Sequence, residues 1–272
     1  MTRPILFLTD YGLEGEYVGL CHAVIARLAP EVRVIDVTHT IPRHAIRAGA
    51  VVLSNAVRYG PEEAVWLAVV DPGVGTRRRG VAVRSERGSW LVGPDNGVLS
   101  LAWPHLGGVD EVVELDQGAL VPWHVSRTFH GRDVFAPAAA RIAAGEDPRT
   151  LGRPGDAGSL VALEAPSATV RVEALVVEVI DVDRFGNLRL GATAPDLEEA
   201  GLADRLELLV RAGDRVRPAR RGKTFADVPE GEYVLFVDSS GWLALARNAD
   251  DAAEGLAATV GDAVVVSAEE VG

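Results

Sequence analysis

From the first residues to about residue 145 the chain alternates short apolar runs rich in β-formers with segments of helical period, and nothing else in the sequence constrains the fold as tightly. "PILFLTD" is followed by "EYVGLCHAVIARLA", "VRVIDVT", "IRAGAVVLSNAVRYG" and "AVWLAVVD". Strands covered by helices on both sides are apolar on both faces, so these runs predict an α/β layer around a largely parallel sheet. "GVAVRSERGSWLVGPDNG" reads as two short strands about a polar Arg87-Gly88 turn, a hairpin on that sheet. "FAPAAARIAAG" reads as the closing helix, with Pro137 near its first turn and Gly145 at its end.

Residues 146–168 collect Pro, Gly, Asp and Ser without periodicity, which is the composition of a linker. Beyond them come "VRVEALVVEVIDVD", "NLRLGAT", "RLELLVRAGDRVRPARRG", "EYVLFVDSSGWLALARN" and "DAVVVSAEE", short strands at turn-rich intervals. They predict a small antiparallel sheet or barrel. The expected organisation is an N-terminal α/β domain over 1–150, a linker over 151–166 and a smaller all-β domain over 167–272.

A chain of 272 residues that is 48% hydrophobic can bury a full core. Its formal net charge of −12 repels polyphosphate backbones and anionic membrane surfaces, so neither nucleic acid nor membrane is an expected partner. Cys21 is the lone cysteine, which excludes a disulfide framework and a thiol-rich zinc site and fits a reducing cytoplasm. No apolar run reaches the length of a spanning helix, and no basic start with an apolar h-region opens the chain, so a cytoplasmic protein is expected. Lys223 is the single lysine, so an arginine needs a further argument before it counts as functional.

Four carboxylates fall on or after strand-like runs: Asp10, Asp36, Asp71 and Asp95. The carboxyl ends of strands face the crevice in open α/β sheets, which makes Asp10 and Asp71 candidates by position. An aspartate there can also simply start a turn. "DPGVG", from Asp71, has the glycines and proline of a turn, but a turn does not account for the "TRRR" that follows. It is not a phosphate loop, because GK[ST] is missing. "TFHGRDVFAP" sets His130 at the start of an apolar helix; His130 and Asp133 could cap that helix or form a polar pocket. His130, Asp133, Asp10 and Asp71 offer metal-type donors without metal-type spacing, so no metal is expected, and no G-x-S-x-G elbow supports a serine nucleophile.

"FLTDYG", "VVDPGVGTRRR", "VGPDNG", "TFHGRDVFAP" and "DRFGN" occur in an order that resembles the S-adenosyl-L-methionine hydroxide adenosyltransferases, hydrolase relatives of the fluorinase and chlorinase. The resemblance spans roughly residues 3 to 265. It implies cleavage of S-adenosyl-L-methionine to adenosine and L-methionine by a water-derived oxygen attacking ribose C5′, with no cofactor beyond the substrate. It implies an Asp71, Arg78 and His130 triad around that oxygen. Arg78 is separated from Arg77 and Arg79 only by the family register, and the final proton acceptor, Asp71 or His130, stays open. Asp10 resembles the carboxylate that accepts the ribose hydroxyls. Asp183 and Asn187 match positions for the methionine ammonium and the adenine edge, with Phe185 alongside, and Arg247 matches the residue facing the methionine carboxylate. Ala246 departs from the serine of the halogenating relatives. The resemblance further implies a homotrimer with sites at subunit interfaces. A halogenase on the same scaffold and a non-catalytic S-adenosyl-L-methionine binder are the alternatives. The intact triad argues against the binder. A halide beside Asp71 would meet a like charge, which at about 4 Å and an effective dielectric near 20 costs roughly 4 kcal/mol.

Overall fold

The computed structural model describes residues 2–118 and 120–269. Two compact units result, residues 1–164 and 165–272. In the first, β1 (Ile5–Thr9), α1 (Tyr17–Leu28), β2 (Val34–Thr38), α2 (Ile46–Val57), β3 (Val65–Val69), β4 (Gly80–Ser85), β5 (Trp90–Pro94), β6 (Val109–Leu115), α3 (Ala136–Ala143) and β7 (Gly152–Pro154) follow one another. The strands form one sheet in the order β2-β1-β3-β5-β4-β6-β7. β1 pairs in parallel with β2 and β3, and β3 with β5, whereas β4, β6 and β7 add antiparallel pairs, including the expected hairpin of β4 and β5.

Alternation along β1 divides the core. Ile5 and Phe7 meet Cys21 and Ile25 of α1 and the alanine-rich α3, while Leu6 and Leu8 join Ala48, Leu53 and Val57 of α2 on the other face. Both faces are covered, which is why these strands read as continuous apolar runs. The chain leaves β1 through α1 on one face and reaches β3 through α2 on the other. The crossover direction therefore changes between β1 and β3, where an open α/β sheet leaves a crevice at its strand ends.

The stretch read from composition as a linker, 151–166, carries regular structure and specific bonds. β7 pairs with β6, Val161 N–H donates to Asp95 Oδ1 at 2.9 Å, and Leu163 N–H donates to Ser100 Oγ at 3.0 Å. Gly155 N–H donates to Val112 O at 2.9 Å and Asp156 Oδ1 accepts Gly158 N–H at 3.0 Å, bonds within the first unit that composition does not distinguish from a free linker.

The second unit holds β8 (Thr169–Arg171), β9 (Ala174–Val182), β10 (Leu188–Thr193), α4 (Ala194–Glu199), β11 (Glu207–Ala212), β12 (Arg215–Arg221), β13 (Tyr233–Val237), β14 (Trp242–Arg247), α5 (Ala252–Leu256) and β15 (Ala263–Ser267). The order β10-β14-β13-β12-β11-β15-β9 closes through a β9–β10 pairing, so seven strands form a barrel and β8 extends β9. Pairing is antiparallel except between β12 and β13. Leu175, Val177, Leu188, Val210, Leu235, Leu245 and Val264 fill the interior, and Leu197 and Leu256 of the short helices join them.

Candidate active site

Asp10 follows β1 and Asp71 follows β3, and the register Thr9↔Val69 brings the two strand ends level on adjacent strands. Beyond Asp71, Pro72 and Gly73 start the turn, and Gly75 sits at φ +77° with its would-be Cβ only 2.5 Å from the carbonyl oxygen of Arg127. Only glycine fits that backbone and that approach. The turn returns the chain so that Arg78 folds back over Asp71. Arg78 Nε donates to Asp71 Oδ1 at 3.1 Å, and Nη2 donates to Oδ2. The same Nη2 lies 3.2 Å from His130 Nδ1, and the guanidinium stacks 5.1 Å from the centre of the Phe135 ring. With side chains only 6% and 8% exposed, Asp71 and Arg78 form a desolvated ion pair.

His130 is delivered by the entry to α3. Gly131–Phe135 forms one π turn ahead of the helix, with Pro137 in the helix's first turn. Gly131 lets the turn approach Tyr11, whose hydroxyl would overlap any Cβ at that position. Burial, then the neighbouring Arg78 cation, pushes the His130 pKa below the usual 6.5, so the ring is neutral at pH 7. Asp133 does something different: fully buried, it accepts Trp123 Nε1–H at 3.0 Å, Ser126 N–H at 2.8 Å and the Arg132 guanidinium at 2.7 Å. It is a structural clamp on the loop that precedes His130.

The three arginines separate by surroundings. Arg78 joins Asp71 and His130, Arg79 turns to Asp95, Glu114 and Ser159, and Arg77 is exposed with no ion pair among the described residues. Geometry thereby distinguishes what residue type could not.

Asp71 and His130 face a cavity of about 690 Å³ that Asp10, Tyr11, Tyr17, His39, His44 and Phe129 also line. Asp10 Oδ2 accepts the backbone N–H of His44 at 2.9 Å, and His44 holds φ at +64°, strained backbone for a non-glycine. Tyr11, Tyr17 and Phe129 pack edge-on or tilted, with centroids 5.1 to 6.0 Å apart, into an aromatic wall. Burial raises the Tyr11 phenol well above its usual 10, so it stays a neutral hydroxyl. Sequence reading missed Tyr11, Tyr17, His44 and Phe129; the adjacency of Tyr11 to Asp10 and of Phe129 to His130 was the available signal. With a guanidinium between Asp71 and His130, this cluster disfavours a cation. The donor group that could hold a metal among the described residues is His22, Asp36 and His39.

The remaining candidates lie in the second unit. Asp183 organises the β9–β10 turn: Oδ1 accepts from Phe185 N–H at 2.8 Å and Asn187 N–H at 3.0 Å, and Oδ2 from Asn187 Nδ2 at 2.8 Å. Asp183 and Asn187 line a cavity of about 310 Å³ with Arg189, Lys223 and Phe225. Phe185 is 63% exposed, with Arg184 over its ring at 4.6 Å. Arg247 ends β14, and the pairing Leu188↔Leu245 sets it at the same barrel end as the Asp183 turn. Its Nε donates to Gly231 O at 2.8 Å and its Nη1 pairs with Asp250 at 2.7 Å; Ala246 beside it is fully buried.

Family models described as the SAM hydroxide adenosyltransferase N-terminal and C-terminal domains match residues 5–152 and 177–265. A protein of Salinispora arenicola named (R)-S-adenosyl-L-methionine hydrolase is 47% identical over 98% of both chains. A fluorinase of Actinopolyspora mzabensis is 31% identical over 91% of this chain and 92% of its own. Among solved structures, an uncharacterized conserved protein from Thermotoga maritima superposes with a TM-score of 0.89 at 35% identity, covering 97% of this chain and 99% of that one.

Proposed function

Because the chain belongs to the SAM hydroxide adenosyltransferase family, we propose that it hydrolyses S-adenosyl-L-methionine to adenosine and L-methionine, with Asp71, Arg78 and His130 acting on the attacking oxygen. The observation that carries this reading is the buried contact of Arg78 with both Asp71 and His130 at a cavity that also holds Asp10.

The water oxygen forms a bond to C5′ as the C5′–S bond breaks. The electron pair leaves with sulfur, which becomes the neutral thioether of methionine, so the leaving group needs no acid. One water proton must be removed. An arginine can only donate, so His130 Nδ1 accepts from Arg78 and the neutral ring carries its proton on Nε2, a donor toward the attacking oxygen. The Asp71 oxygens keep lone pairs beyond those bonded to Arg78, and Asp71 takes the water proton. The fixed Arg78 charge stabilises the oxyanion as it develops.

Asp10 accepts the ribose hydroxyls. The methionine ammonium goes to Asp183, its carboxylate to Arg247, and the adenine edge to Asn187 beside Phe185. These four belong to a neighbouring chain of a homotrimer. Exposed Leu13 and Tyr17 near the cavity and exposed Phe185 support such a partner, since apolar groups of this size call for cover. The protein works in the cytoplasm. No metal or cofactor takes part in the chemical step, and turnover should persist in EDTA.

A halogenase is the second reading, favoured by the fluorinase relative and disfavoured by the carboxylate of Asp71 where halide would sit. Incubating pure protein with S-adenosyl-L-methionine, with and without fluoride or chloride, and separating products by chromatography distinguishes the readings. Adenosine and L-methionine in equal amounts are expected. A 5′-halo-adenosine would establish the halogenase, and bound but intact substrate a non-catalytic binder.

A further inference from the structure

On the edge strand β2, Asp36 stands opposite Phe7 of β1. Val34 packs toward α1 and Ile35 and Val37 toward α2, so alternation gives Asp36 to the α1 face. There His22 of α1 places Nε2 2.9 Å from Asp36 Oδ1. The residue after β2, His39, brings its own Nε2 to 3.1 Å from the same oxygen. One donor atom from each of the three residues fits within a span of 4.8 Å, and the Phe7 ring lies 5.9 and 4.7 Å from the two imidazoles.

His39 supplies a second, independent observation. Its side chain is 2% exposed, and its buried Nε2, although 3.1 Å from Asp36 Oδ1, makes no hydrogen bond of good geometry there. Its Nδ1 is occupied by Thr9 Oγ1 at 2.9 Å, and Thr9 also accepts Tyr11 N–H at 3.2 Å. In the tautomer that a cation at Nε2 would select, the ring proton sits on Nδ1 and is donated to Thr9 Oγ1, and the Nε2 lone pair faces Asp36. A lone pair aimed at a carboxylate in a buried place is stabilised by a cation between them, and the bond on the far ring nitrogen is the orientation device of metal-ligating histidines.

We propose that His22 Nε2, Asp36 Oδ1 and His39 Nε2 bind a divalent metal ion of the zinc type, with water as the fourth ligand. Two imidazoles and one carboxylate suit zinc or cobalt over magnesium or calcium, which take oxygen ligands. Bonds of about 2.0–2.2 Å in a tetrahedron separate ligand atoms by roughly 3.3–3.5 Å. The 2.9 and 3.1 Å spacings therefore open by a few tenths of an ångström, which the partly exposed His22 and Asp36 permit. A net charge of −12 favours the cation. The site is independent of the hydrolase reading, although His39 also lines the cavity that holds Asp10.

Chelator-stripped full-length protein is titrated with cobalt(II), followed by visible absorption, and with zinc(II), followed by calorimetry. One ion per chain is expected, with the intense absorption of tetrahedral cobalt that zinc abolishes. His22→Ala and Asp36→Asn alter partly exposed side chains, so both variants should keep the wild-type circular dichroism and melting profile. Each should weaken zinc binding at least about a hundredfold, since outer-shell changes alone cost about 10–100-fold. Absence of stoichiometric binding to the wild type, or affinity within tenfold of wild type in both variants, overturns the site and leaves a metal-free His-Asp-His contact cluster. Hydrolysis of S-adenosyl-L-methionine by the stripped protein is measured separately, so that failure of the metal site and failure of the hydrolase reading are distinguishable.

Discussion

Arg77, Arg78 and Arg79 carry the same group into three surroundings, solvent, an Asp-His pocket and a carboxylate cluster, and each surrounding sets a different expectation. Arg78→Ala removes the oxyanion partner and should lower kcat by about 10²–10³ with a much smaller change in KM, as expected for a contact that matters in the transition state. Arg77→Ala should leave kcat unchanged and stability within about 0.5 kcal/mol of wild type. Steady-state kinetics and thermal melts of the two variants check this pair, and equal losses in both would remove Arg78 from the mechanism. His130 sets the pH response. Its folded pKa lies below 6.5, so the ring stays neutral and able to accept from Arg78 until the pH drops below that value. The kcat/KM profile should fall on the acid side with its midpoint below pH 6.5 and be level on the alkaline side of neutrality. An acid limb centred above 6.5 would contradict the assignment.

At the scale of elements, the π turn before α3 and the Asp133 clamp decide where His130 stands. Burial raises the Asp133 pKa, but bonds from Arg132, Ser126 N–H and Trp123 outweigh it and hold the carboxyl below its ordinary 3.8. A carboxyl held below its unfolded value binds its proton less readily when folded. Its stabilisation is therefore complete above the unfolded value and fades as the pH drops through the folded one. Asp133→Ala should cost about 2–3 kcal/mol, because it leaves buried donors unpaired while Arg132 retains some access to solvent. It should also flatten the acid side of the stability curve, measured by urea unfolding at several pH values. Asp133→Asn keeps the shape and two acceptor lone pairs, and should lose less. Gly75→Ala should cost about 1–3 kcal/mol through its left-handed backbone and the Arg127 carbonyl, and loosen the return of Arg78 to Asp71.

For the whole molecule, the proposed division of labour between chains has a direct test. His130→Ala and Arg247→Ala are each expected to be inactive alone, and mixed under conditions that allow subunit exchange they should regain part of the activity, since some interfaces then pair two intact halves in a closed ring. Light scattering at assay concentration should report three chains. A fully active monomer overturns the arrangement. Among the described residues no helix is long and apolar enough to cross a membrane.

The period of the apolar residues was enough to predict a layered α/β unit followed by a β unit, because a strand buried on both faces and a half-buried helix each leave a pattern that local sequence cannot hide. Asp10 and Asp71 were legible for a related reason: a carboxylate after an apolar strand marks a strand end, and strand ends line crevices. Which arginine meets Asp71, that Asp133 clamps a loop while His130 faces the cavity, and that residues 152–163 pair and bond within the first unit were decided by tertiary structure. Those outcomes depend on where a turn at Gly75 and a π turn at Gly131 send the chain, and on neighbours up to dozens of residues away. The His22, Asp36 and His39 cluster belongs to the same class. Its spacing follows no metal motif, since its members come from a helix, an edge strand and the loop beyond, and only the packing of α1 against β2 brings their donor atoms together.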